Sequence, residues 1–110
     1  MTQLIEDYFS AFCAQNLEKL SELYADTIML NEWNTNIFVG KEKVLEANKQ
    51  LFNQFKNIRI ETITSLTDEH HRVSINEIVV KLDNQKVRVI DVIRFNPDGK
   101  INNITAYRGF

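Results

Sequence analysis

Val87-Arg88-Val89-Ile90-Asp91-Val92-Ile93-Arg94-Phe95-Asn96-Pro97-Asp98-Gly99-Lys100-Ile101 joins an alternating strand, a turn and the start of a returning strand in one run. β-branched and polar residues alternate up to Phe95, the pattern of a strand with one buried face. In Asn96-Pro97-Asp98-Gly99, proline presets φ and glycine supplies a positive φ, so the chain reverses there. Val87, Val89, Ile93 and Phe95 share the apolar face, and Asp91 stands in its middle. An ionised carboxylate at such a place is costly unless it is paired or hydrogen-bonded. Two readings follow. Asp91 stays protonated and can donate a hydrogen bond to a developing oxyanion, or it caps a nearby backbone or pairs with an arginine.

Working outward, the same two-residue period runs through residues 58–67 and 72–82, and residues 100–110 close the sheet. Asp83-Asn84-Gln85 fits a hairpin connection before the strand at 86–95. Upstream of Asn57 the period is helical. Leu4, Ile5, Tyr8, Phe9, Phe12 and Cys13 mark a first helix over residues 2–15, with Thr2 able to cap it. Asn16 is a plausible N-cap for a second, carrying Leu17, Leu20 and Tyr24 on one side. A short strand over residues 27–33 follows, and Gly40 leads into a third helix with Val44, Leu45, Asn48, Leu51, Phe52 and Phe55 on one face. Helices first and a strand meander after them argue an α+β domain, its three helices packed on one face of an antiparallel sheet.

Composition sets the bounds. At 110 residues there is room for one core, and 44% hydrophobic with 25% charged residues is ordinary for a globular chain. A net charge of -2 gives no electrostatic reason to expect nucleic acid. Acids near the start and the lack of an apolar run near 20 residues point to no leader and no membrane span, hence a cytoplasmic expectation. Cys13 reads as a small core residue, and His70-His71 as a solvated turn rather than a metal pair. No zinc spacing, phosphate loop or dinucleotide glycine pattern occurs, so neither cofactor nor metal is expected.

Other polar residues also fall where the core should be. Tyr8 lies on the apolar stripe of the first helix, where a phenol usually serves as a core aromatic. Glu32 ends a short strand beside Trp33, whose indole can raise a carboxyl pKa. Asn48 interrupts the third helix's apolar face, and Arg108 shares a strand face with Ile104 and Ala106, pointing either inward or to solvent near the chain end.

The quoted stretch, followed by Ala106-Tyr107, resembles the end of ketosteroid isomerases and of the wider SnoaL-like group within the NTF2-like superfamily. Leu23-Tyr24-Ala25-Asp26 and Val39-Gly40-Lys41-Glu42 resemble its earlier signature, so the likeness covers nearly all of residues 1–110 as one domain. It implies a cone of three N-terminal helices on a curved antiparallel sheet, with a pocket. It also implies roles: Asp91 as a protonated oxyanion-hole acid, Tyr8 as the second donor, and Glu32 where the isomerases keep an aspartate base. Trp33, Asn48, Phe52 and Arg108 become candidate ligand-binding residues. Asn48 stands where steroid enzymes carry a supporting tyrosine and Arg108 where they carry a tryptophan, so a steroid is not the expected substrate.

The expectation is thus a cofactor-free isomerase or cyclase that abstracts a proton α to a carbonyl, or else a non-catalytic domain, one that binds a small ligand or a dimeric interaction module whose pocket is vestigial. The ligand, for the readings that take one, is small and apolar or anionic. Ile90 and Val92 between Arg88 and Arg94 make an apolar centre with a polar rim, and a homodimer through the sheet is expected.

Overall fold

The computed structural model describes residues 2–32 and 36–109. Their order is α1 (Thr2–Cys13), α2 (Leu17–Leu23), β1 (Tyr24–Glu32), β2 (Ile37–Val39), α3 (Lys41–Gln54), β3 (Ile58–Asp68), β4 (Val73–Leu82), β5 (Gln85–Phe95) and β6 (Ile101–Arg108). Thr2, expected as a cap, is itself the first helical residue. α1 buries Leu4, Ile5, Tyr8 and Ala11 on one stripe. It ends with Gln15 in the left-handed region at φ 55°, and the Gln15 and Asn16 amides donate back to the carbonyls of Phe12 and Ala11. That pair of bonds satisfies end carbonyls of the helix. Gln15 also donates through Nε2 to the Phe55 carbonyl at 2.8 Å, tying the end of α1 to the end of α3. Asn16 caps α2, its Oδ1 accepting from the Lys19 amide at 3.0 Å.

The apolar spacing Leu17, Leu20, Tyr24 suggests a helix running as far as Tyr24. The helix stops one residue sooner, and Tyr24 begins β1 while its amide still donates to the Leu20 carbonyl. The turn at 96–99 closes as read. Asn96 Oδ1 accepts from the Asp98 and Lys100 amides, the Gly99 amide donates to the Asn96 carbonyl at 2.9 Å, and Gly99 has φ 79°. Between β4 and β5, Asp83 adopts φ 53° and its Oδ1 accepts from the Asn57 amide at 2.8 Å, anchoring the hairpin under the end of α3.

The sheet has six strands in the order β2-β1-β6-β5-β4-β3. It is mixed rather than wholly antiparallel. β6 returns between β5 and β1 and runs parallel to β1, because the intervening chain through α3 and β3–β5 is long enough for a crossover. Register shifts at Tyr24/Met29, Thr62/Thr64 and Arg94/Phe95 locally bend the strands. The helices cover the inner face, and Leu20, Ile28, Val44, Ile93, Ile101 and Ile104 form the most deeply buried part of the core. Further along β5 the inner face carries Asp91, Val89 and Val87, and there a cavity opens.

Candidate functional site

The cavity holds about 410 Å³ between α1, α3 and the inner face of β3–β6. Phe9 and Phe12 wall it from α1, Leu51 from α3, and Val80, Val87 and Val89 from the sheet. Asp91, Tyr8 and Asn48 add polar groups to this apolar lining.

β5 positions Asp91 by simple alternation: Val89, Asp91 and Ile93 face inward while Ile90 and Val92 face out. The Asp91 carboxyl is buried and makes no hydrogen bond or ion pair with another described residue. Burial pushes its pKa up to about 7. A neutral acid is therefore present there near neutral pH, where an ordinary aspartate is fully ionised. Tyr8 is buried nearby, and its pKa lies well above the phenol's ordinary value, first from burial and then from its electrostatic coupling to Tyr24 and Asp91. It is a neutral O–H donor, and among the described residues its hydroxyl has no partner.

Asn48 is held by a residue that helical spacing groups with Leu17 and Leu20. Tyr24, buried at the start of β1, donates its hydroxyl to Asn48 Oδ1 at 2.7 Å. Burial, then Asp91, keeps the Tyr24 phenol above its ordinary pKa, so it remains the donor. With Oδ1 accepting, the Asn48 amide nitrogen keeps its protons for the cavity, and it has no partner among the described residues. Asn48 on an apolar helix face already demanded such a partner; only the fold says which.

Glu32 reaches the site through register. Asp91 pairs with Ala106 on β6, and Ala106 pairs with Glu32 on β1, so the two acids flank one alanine. Their Cα atoms are about 10 Å apart, two strand spacings. Glu32 lies exposed on the cavity rim, and the partial burial of its carboxyl raises its pKa. Arg108 is the next inward residue of β6 after Ala106 and lines the same rim, exposed, with no ion pair to Asp91. It both faces the cavity and meets water.

Phe52 is not among the residues that line the cavity. It packs edge-on against Phe12 at 5.2 Å, supporting that wall from behind, while Ala47 and Leu51 present the adjoining surface. Trp33 lies outside the described residues. Glu77 on β4 faces outward and pairs with Arg88 at 3.5 Å. Ser74 and Asn76, fully buried on the inner face of β4, escaped the sequence reading. They are satisfied by Ser65, Thr67 and each other, so they complete a polar network and are not open to a ligand. Burial raises the Cys13 thiol pKa, against nucleophilic use. Among the described residues no group of three or more metal-ligating side chains forms.

Helices on the inner face of an open mixed sheet, enclosing an apolar cavity with a few polar groups, define an NTF2-like pocket domain. The chain belongs to the SnoaL-like domain family, whose model matches residues 5–104. Solved structures share the fold. A SnoaL-like protein of unknown function from Burkholderia thailandensis has a TM-score of 0.82 at 17% identity, covering 99% of this chain and 93% of that one. A cystatin-like fold protein of unknown function from Methylobium petroleophilum gives 0.87 at 12% identity, over 99% of this chain and 75% of that one. A protein of ketosteroid isomerase-like fold from Catenulispora acidiphila, in complex with trimethylamine, gives 0.81 at 13%, over 94% of this chain and 83% of that one. At these identities the likeness concerns the fold. No curated protein matches the sequence. Among the described residues no helix is long and apolar enough to cross a membrane.

Proposed function

We propose that the cavity binds a small carbonyl compound and moves a proton at the carbon beside the carbonyl, without a cofactor. Glu32 takes the C–H proton, the C–H electron pair shifts into the carbonyl, and the resulting enolate oxygen is held by Tyr8, Asn48 and neutral Asp91. The proton then returns from Glu32 to the same carbon or to a conjugated one. One observation carries this reading: Asp91 is a buried carboxyl with no described partner, held near neutrality beside a phenol, and it opens on a cavity. A buried acid serving only structure would be expected to be paired.

The test uses 2-naphthol, an aromatic analogue of an enol. It is expected to bind saturably, and carboxyl-carbon NMR of the free protein is expected to show Asp91 titrating near 7. An Asp91 that titrates below its ordinary range marks an ionised, paired carboxylate, and the oxyanion-hole reading is then withdrawn in favour of a binding domain.

The outer face of the sheet favours self-association alongside this activity. Leu66, Ile75 and Val92 lie in one cross-strand row, with Ile90 and Tyr107 paired in the next. Leu66, Ile75, Ile90 and Tyr107 are all exposed, between the outward charges of Arg88 and Arg94. A second copy of the chain is the proposed cover. The protein is expected to sediment at twice its 12.9 kDa chain mass, and Ile75→Glu with Ile90→Glu to sediment as a monomer. A wild type at monomer mass contradicts the pairing.

A further inference from the structure

We infer that the cavity selects an oxo acid, with its carbonyl at Asp91 and Tyr8 and its carboxylate held at the rim by Arg108. The inference rests on the ligand-pocket reading above and adds the substrate class. Arg108 faces the cavity because it follows Ala106 by two residues on β6, yet it is exposed and makes no ion pair with any described residue. Its fork of N–H donors is therefore open to a planar anion, which it can hold with two parallel bonds.

The separation of the two ends follows from register. Arg108 pairs with Val89, and Ala106 pairs with Asp91. Arg108 is thus one strand across and two residues along from Asp91, roughly 8 Å between Cα atoms. The surface between them consists of Val89 and Ala106, with Val87 and Leu82 beyond. A ligand that spans the two ends must be apolar in its middle and polar at both tips.

The electrostatics set its direction. The inner end offers Asp91, whose ionised form repels an anion and whose neutral form sits in an apolar wall. The rim offers a fixed positive charge in contact with water, where a carboxylate loses little hydration. The acid tip therefore stays outside and the ketone enters. The carboxylate belongs on the β5 side of Ala106, where Arg108 pairs with Val89.

Two probes of one skeleton separate the claims: 2-naphthol, which has only the inner hydroxyl, and 6-hydroxy-2-naphthoate, which adds a carboxylate at the far end. Both are titrated by fluorescence at pH 6 against wild type, Arg108→Gln and Arg108→Lys. In wild type the naphthoate is expected to bind about tenfold tighter, the size of a charge-assisted hydrogen bond. That preference is expected to fall to near unity in Arg108→Gln and to persist in part in Arg108→Lys. Binding of 2-naphthol with no preference for the naphthoate, or a preference unchanged in Arg108→Gln, overturns this inference alone. If neither probe binds, the ligand-pocket reading fails and takes the oxo acid with it.

Discussion

Asp91→Asn is expected to raise the thermal midpoint by roughly 15–20 °C at pH 8 and to leave it within about 2 °C at pH 4. The sign follows from which state holds the proton. In the unfolded chain Asp91 ionises near its ordinary value of about 3.9, whereas in the folded protein burial holds it at about 7. Between these values the native state keeps a proton that the unfolded state has released. Each pH unit in that window therefore costs the native state about 1.4 kcal/mol, and above it the loss levels off at roughly 4 kcal/mol. Below the window both states are protonated and the difference vanishes. Asparagine keeps the shape and a donor but never ionises, so it is spared the loss. Thermal unfolding of both proteins at pH 4, 6 and 8, followed by circular dichroism, measures the difference and cancels all other titrating groups. A variant less stable than wild type at pH 8 would show that Asp91 is ionised and paired when folded.

A chain that carries such a cost has a simple alternative in asparagine or valine, either of which fits a strand. Stability does not ask for a carboxyl at this place. The burial that makes Asp91 expensive also makes it a neutral donor near pH 7, and the two properties cannot be separated.

Asp91 was legible in the sequence because a strand's period is two and a charged residue on an apolar face breaks it visibly. The turn at 96–99 and the Asn16 cap were legible for the same reason: each is fixed by residues a few positions apart. The NTF2-like cone came from resemblance, and the family match over residues 5–104 supports it. What stayed hidden depends on long-range register. That β6 runs parallel to β1 brings Glu32 and Arg108 round Ala106, and no local pattern encodes it. Tyr24 looked apolar because helical spacing placed it with Leu17 and Leu20; its hydroxyl found Asn48 across the core. Phe52 and Leu51 share a helix face in sequence, and only packing decides which one meets the cavity.

Glu32→Gln is expected to slow α-proton exchange of an enolisable ketone by about 10²–10⁴-fold, the usual worth of a positioned base. The probe is 2-tetralone in deuterium oxide, with exchange followed by proton NMR; its enol has the skeleton of 2-naphthol. Glu32→Asp is expected to lie between, since withdrawing the carboxylate by one methylene shifts it by ~1 Å, a misplacement worth on the order of 100-fold. The pH profile adds a constraint that a structural role would not supply. Exchange requires Glu32 ionised and Asp91 protonated, so the rate rises through the pKa of Glu32, which burial holds above its ordinary value, and falls through that of Asp91 at about 7. The two limbs report the pair together, as for any two acids sharing a site. Asp91→Asn is expected to flatten the alkaline limb, because an amide donates at every pH, while leaving the acid limb in place. Exchange that persists undiminished in Glu32→Gln removes the base from the mechanism, and a wild-type rate no faster than buffer removes the reaction. In both cases 2-naphthol binding decides whether the cavity still serves as a receptor, because that measurement needs Tyr8, Asn48 and Asp91 but no proton transfer.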